Sequence, residues 1–207
     1  MLYLESLAIQ PKKIEIDMKK RSSSFINMFV TLAVVTLAAS ASLGFVYQLT
    51  KEPIAKAQLE KQKKAINEVL PGFDNDPIAA QFKLPIPESS DSLLFYPVIK
   101  GEQVLGHAIK TYSSKGYSGD IWIMLGMDQQ GKVTQYAVLE HKETPGLGSK
   151  ISAEQFREQF IGLLDEPEVT KDGGRIDAIS GATISSRAVC EAIVKAQATW
   201  QQLADNN

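Results

Sequence analysis

One cysteine, Cys190, and two histidines, His107 and His141, are all that this 207-residue chain offers to a soft metal. They give no zinc or iron–sulfur spacing, and no intramolecular disulfide can form. Cys190 falls within the apolar pattern of the last helix, where an inert buried thiol is the expected role. Net charge is equally scarce: a formal −2 gives no hint of nucleic acid. No internal repeat is visible and no Gly-x-Ser-x-Gly elbow is present. Any redox role therefore needs an organic cofactor. The longest absence is local, since no charged residue occurs from Ser22 through Thr50.

That uncharged stretch holds the clearest physical signal. Phe25 to Leu49 is mostly apolar, and at 1.5 Å per residue a helix of this length reaches roughly 37 Å, enough to cross a hydrocarbon core of roughly 30 Å with some tilt. We expect a membrane anchor over 25–49, preceded by a cytoplasmic tail over 1–24 in which Met18 is an alternative start. A cleaved signal peptide is the competing reading, since Ala39-Ser40-Ala41 fits a small-residue cleavage site, but the apolar run continues past it through Leu43, Phe45, Val46 and Leu49. Flanking positive charges do not orient the span. Lys12, Lys13, Lys19, Lys20 and Arg21 precede it, and Lys51, Lys56, Lys61, Lys63 and Lys64 follow. The dense Lys19-Lys20-Arg21 cluster on a short tail favours an inside N-terminus. The rest of the chain, at 17 basic and 21 acidic side chains, would then face the periplasm or outer surface.

Beyond the span, Pro53 opens a pattern with Ala55, Leu59, Ile66 and Val69 at helical spacing, closed by Pro71-Gly72. Residues 50–91 are expected to be a juxtamembrane helix and a linker or covering loop rich in Pro, Ser and Asp. From residue 92 to 207 the pattern is that of one folded domain. Leu93–Ile99, Val104–Tyr112, Ile121–Met127 and Val133–His141 read as strands joined by short turns, hence an antiparallel sheet. Ile151 to Leu164 reads as a helix. Val189, Ala192, Ile193, Ala196, Trp200 and Leu203 mark another. The fold class is α+β, with helices against one sheet face.

Chemistry concentrates at Asp177-Ala178-Ile179-Ser180-Gly181-Ala182-Thr183-Ile184-Ser185-Ser186-Arg187. Ser180, Gly181 and Ala182 leave no bulk to keep a ligand from the backbone, and Gly181 can take positive φ. Thr183 is delivered to the first turn of a helix, where unpaired N–H groups and the positive end of the dipole favour a phosphate. Arg187 lies on the same helix face, four residues on, placed to pair with that phosphate. Taken alone, Ser-Gly-Ala-Thr is most often an N-cap. A second candidate is His141-Lys142-Glu143-Thr144-Pro145-Gly146-Leu147-Gly148. This loop is stiffened by Pro145 and opened by two glycines, or else it is a plain turn closing the sheet.

The full pattern Asp177-x-x-Ser180-Gly181-Ala182-Thr183, with Ser185 two residues on, resembles the flavinylation motif of the covalent-FMN subunits of the Rnf and Nqr respiratory complexes. The His141–Gly148 block resembles that family's H-x-E-T-P-G-L-G loop, and Gly116-Tyr117-Ser118-Gly119 resembles its Gly-Tyr turn. The resemblance runs from the Lys-rich start of the anchor through the last helix and is nearest to the G subunits of Rnf complexes.

It implies FMN joined through its phosphate to the Thr183 hydroxyl by a dedicated flavin transferase that needs Asp177. Glu143, Thr144, Leu147 and Gly148 would meet the isoalloxazine. The protein would relay electrons without a substrate of its own and without a catalytic residue, held in the cytoplasmic membrane of a bacterium. Its partners would be the other subunits of a complex coupling ferredoxin/NAD electron transfer to Na+ or H+ translocation. Alternatives are a counterpart of the C subunit of the sodium-pumping NADH:quinone reductase, a structural subunit with a vestigial flavin site, a stand-alone flavoprotein, and a hydrolase using Ser180 or Thr183 with His141.

Overall fold

The computed structural model describes residues 25–205. The tail expected over 1–24 and the alternative start at Met18 lie outside them. The first element, α1, is a single helix, Phe25–Val69. Its first half is long and apolar enough to cross a membrane, and the hydroxyls of Thr31, Thr36, Ser42 and Thr50 bond back to the helix. Thr31 donates to the Asn27 carbonyl at 2.7 Å, and Ser42 donates to that of Ala38 at 2.8 Å. Such bonds within the helix let polar side chains sit in an apolar solvent.

The two helices expected on either side of Pro53 are thus one continuous element. Proline's fixed φ is helical and its ring costs a single backbone bond, while the Ala, Gln, Glu and Lys residues that follow are strong helix formers. By packing, the chain divides into two compact units between Glu52 and Pro53.

The second unit is built on one five-stranded antiparallel sheet in meander order, β1 (Phe82–Pro85), β2 (Ser92–Lys100), β3 (Gln103–Ser113), β4 (Ile121–Asp128) and β5 (Val133–Glu140). Four strands fall where the short apolar runs and their turns place them. The fifth, β1, lies inside the expected linker and pairs Phe82 with Phe95 and Leu84 with Leu93. Pro85 fits there because an edge strand can leave one side unpaired. The rest of that segment is pinned rather than free. Asn75 accepts from the Ile99 N–H and donates to the Pro97 carbonyl, and Asp74 accepts from Gly101.

Both faces of the sheet are covered, not one. On one side Phe95, Ile109, Ile123, Leu125 and Tyr136 pack against Val189, Ala192, Ile193 and Ala196 of the last helix, α3 (Thr183–Asp205). On the other, Tyr96, Val98, Met124 and Leu139 meet Ala65, Ile66 and Val69 at the end of α1 and Leu70 just beyond it. A buried side chain of this size contributes roughly 1.5–3 kcal/mol, so the C-terminal end of α1 is part of the domain's core.

The helix expected over Ile151–Leu164 is replaced by a 3₁₀ turn (Gly148–Ser152), a one-turn α2 (Glu154–Arg157) and another 3₁₀ turn (Glu158–Phe160). Ala153 is extended between the first two, and Ile161 is extended after the last. The physical reason is competition from β5. The Gly162 N–H donates to the Val133 carbonyl at 2.7 Å and the Val133 N–H to Leu163 at 2.9 Å, which draws the chain out of helical geometry.

Candidate functional site

In a meander, β3 and β5 run the same way, so the loops that follow them open at the same end of the sheet. The start of α3 arrives there too, because Thr111 of β3 donates to the Ala192 carbonyl of α3 at 2.8 Å and fixes the helix over the sheet. The three segments singled out in the sequence are therefore brought together by topology.

Glu143 joins them. The residue is only 4% exposed. One carboxylate oxygen accepts the Ser118 N–H at 3.0 Å and the other accepts the Ser185 hydroxyl. Its own N–H donates to Nδ1 of His141 at 3.1 Å. Two glycines make room for this carboxylate. A Cβ on Gly148 would stand 2.5 Å from the Glu143 carboxylate and 2.6 Å from Ser185 Oγ, and one on Gly116 would stand 2.2 Å from the Gly119 carbonyl and 2.9 Å from the same carboxylate. Gly116, Glu143, Gly148 and Ser185 form one packed knot, and the last three of them line a cleft.

The cleft has a volume of about 600 Å³ and is lined by Tyr117, Glu143, Thr144, Leu147, Gly148, Lys171, Gly181, Ala182, Thr183, Ile184 and Ser185. That is the size range of small-molecule and cofactor sites. Thr183 is the first residue of α3, and Gly181 makes the turn into it at φ 76. The leading N–H groups of a helix have no acceptor within it, and with the dipole they form an anion site. A cation is at hand as well: Lys171 Nζ donates to Thr183 Oγ1 at 3.1 Å. Apolar surface lies open around the rim, with Tyr117 70%, Leu147 45% and Ile184 46% exposed. A phosphate seat with apolar walls suits a flavin mononucleotide, whose planar ring needs surface to lie on and whose phosphate needs N–H groups and a cation.

Of the residues expected at the site, Thr183, Gly181, Ala182, Glu143, Thr144, Leu147 and Gly148 share this cleft. Asp177 and Ser180 do not, and line a second cleft of about 460 Å³ with Lys150, Gln155 and Gln159. The loop runs between the two clefts because Gln159 clasps the Asp177 backbone, accepting its N–H at 2.7 Å and donating to its carbonyl at 3.3 Å.

Arg187 is turned aside. Its Nε and Nη2 donate to the two oxygens of Asp172, both at 2.6 Å. These bonds hold the Asp172 carboxyl below its ordinary range and push the guanidinium higher still. The cation at Thr183 is instead Lys171, which no local pattern marks beyond the Asp172-Gly173-Gly174 turn beside it.

A hydrolytic constellation does not assemble among the described residues. Thr183 Oγ1 is bonded to Lys171, and Nδ1 of His141 is occupied by the Glu143 N–H. Cys190 is buried and its thiol is pushed up to about 12, chiefly by desolvation.

Comparison with known proteins places these segments. Residues 116–198 match the FMN-binding domain family, and residues 20–69 match the RnfG N-terminal region. The chain is 33% identical over 177 residues to the G subunit of the ion-translocating oxidoreductase complex of Methanosarcina acetivorans, covering 83% of this chain and 92% of that protein. It is 36% identical over 180 residues to the G subunit of the same description from Aliivibrio fischeri, covering 81% and 86%. The counterpart from Yersinia pestis is 35% identical over 191 residues, covering 84% and 89%. Among solved structures, NqrC of Shewanella oneidensis aligns at a TM-score of 0.46 with 19% identity, over 64% of this chain and 75% of that one. The C subunit of the Na(+)-translocating NADH-quinone reductase of Parabacteroides distasonis aligns at 0.45 with 22% identity, over 60% and 65%.

Proposed function

Since the chain belongs to the G subunits of ion-translocating oxidoreductase complexes, we propose that it carries its FMN as a phosphoester on Thr183 and relays electrons between other subunits. The single observation that carries the reading is Thr183 itself. Its hydroxyl stands at the first residue of α3, inside the cleft, 3.1 Å from Lys171 Nζ.

When bound, FMN supplies a ring that takes up and returns electrons. The chain's own residues hold and shield it. Thr183 tethers the phosphate, the first-turn N–H groups and Lys171 neutralise it, and Tyr117, Leu147 and Ile184 offer apolar surface to the ring. Glu143 keeps the three loops in register. Arg187 is not part of this phosphate seat.

In this reading a flavin transferase forms the ester, recognising the Asp177–Thr183 loop from its outer side, where Asp177 and Ser180 stand. The span over 25–49 anchors the protein, the sheet-built domain that follows it lies on the periplasmic or outer side, and the complex couples ferredoxin/NAD electron transfer to Na+ or H+ movement. Mass spectrometry of the full-length protein, denatured after purification from its own membranes, tests the proposal. The expected result is the mass of FMN less one water on the peptide containing Thr183. An unmodified Thr183 in that material would move the structural-subunit reading to the front.

A further inference from the structure

We propose that Arg187 and Glu191 are positioning residues that fasten the two loop walls of the Thr183 cleft to α3. They stand one helical turn apart, and each reaches a different wall. Arg187 grips Asp172 through two bonds of 2.6 Å, and the neighbouring residue, Lys171, donates to Thr183 Oγ1. Glu191 accepts the Ser113 hydroxyl at 2.6 Å and pairs with Lys115 Nζ at 3.1 Å, at the root of the turn that presents Tyr117. Lys171 and Tyr117 both line the cleft. Neither Arg187 nor Glu191 does. They act through what they hold.

The bonding elsewhere in each wall shows why such clamps matter. The Lys171 segment is a three-residue 3₁₀ turn, Thr170–Asp172, closed by Gly173 at φ 100. Its base is secured where Val169 bridges Ile176, and its exposed tip meets α3 through the Arg187 pair and the Lys171 contact. The Tyr117 turn is held from within by Glu143 and from without by Glu191. A bidentate guanidinium–carboxylate pair fixes orientation as well as distance, which a lysine could not do. Exposed ion pairs add little to global stability. Their effect is local, on segments that open well below the global unfolding free energy.

The inference rests on the reading of Thr183 as the attachment point, and the test separates the two. Full-length protein is prepared in detergent, with and without co-expressed flavin transferase, as wild type, Arg187→Gln, Glu191→Gln and the exchanged pair Asp172→Arg with Arg187→Asp. Hydrogen exchange is followed in the form made without the transferase, and quenching of flavin fluorescence by iodide in the loaded form. Arg187→Gln should speed exchange over residues 170–174 by roughly two- to fivefold, the range expected for losing an exposed pair, and leave 113–119 unchanged. Glu191→Gln should do the converse. The exchanged pair should recover the wild-type rate at 170–174, and iodide should quench more strongly in each single variant. Unchanged exchange at both loops, an exchanged pair that folds but does not recover, or faster exchange with unaltered quenching would each overturn the positioning role. Failure of the attachment reading shows differently, as no added mass on Thr183 of the wild type, and leaves the exchange comparison intact.

Discussion

Removing the Glu143 carboxylate should loosen the whole end of the sheet, and the size of the effect follows from its partners. Glu143→Ala leaves two donors without an acceptor. The Ser118 amide belongs to an exposed residue and can turn to water, but Ser185 is 1% exposed and its hydroxyl cannot. An unsatisfied buried polar group costs about 1–3 kcal/mol, and the truncation adds a cavity beneath Gly116 and Gly148. A loss of about 2–4 kcal/mol is expected, which in a domain of this size lowers Tm by roughly 4–16 °C.

Glu143→Gln is the informative control. Its amide oxygen can still accept from Ser118, its amide nitrogen can donate to the Ser185 oxygen, and an anion held by two neutral donors is no longer buried. The glutamine variant should lie within about 1 kcal/mol of wild type. Thermal and urea unfolding of the detergent-solubilised chain, followed by near-UV circular dichroism, would measure both. If alanine proved as stable as the wild type, or glutamine as damaging as alanine, the carboxylate would not be the joint between the three loops.

Other outcomes follow from the same geometry. Gly148→Ala places a methyl 2.5 Å from the Glu143 carboxylate and should cost about 1–3 kcal/mol through overpacking, with flavin incorporation falling in parallel by mass spectrometry. Cys190, 5% exposed with its thiol pushed up to about 12, should resist iodoacetamide at pH 8 in the native protein and react once unfolded. Thr183→Val keeps the shape of the side chain and should leave stability within about 0.5 kcal/mol. It should lose all flavin that survives denaturation, while added FMN should still bind and then leave on dialysis.

The sheet was legible because β2 to β5 are short apolar runs punctuated by turns such as those at Gly101 and Gly131, and connections that short make neighbouring strands antiparallel. What stayed hidden depended on distant partners. Phe82-Lys83-Leu84-Pro85 is a strand only because β2 offers it an edge, and nothing within four residues ending in proline announces that. Ile151 to Leu164 has a helical period, yet Gly162 and Leu163 bond to Val133, some thirty residues earlier in the chain. The site shows the same division. Residues joined by a contiguous pattern, such as Gly181 to Thr183 and Glu143 to Gly148, could be grouped from their order alone. Arg187 had the right helical spacing to face Thr183, but local spacing cannot reveal that Asp172 competes for it. Lys171 was invisible for the same reason, since its neighbour in space is twelve residues away and carries no complementary charge.

The open cleft bears on why a covalent bond would be used at all. Tyr117, Leu147 and Ile184 are substantially exposed at its rim, so a ring lying there would remain partly in water and gain only part of its burial energy. Noncovalent retention at micromolar affinity amounts to about 8 kcal/mol, and on the proposed outer side of a membrane every dissociated flavin would be diluted without return. Closing the cleft would raise affinity, but it would also bury the ring edge that electrons must cross. A tether at Thr183 would separate these demands. The proposed ester would hold the far end of the cofactor at the start of α3, so the walls would need only to orient the ring, and they could stay open to the subunits that exchange electrons with it. On this view Glu143, Arg187 and Glu191 set where the ring lies, and Thr183 sets whether it stays.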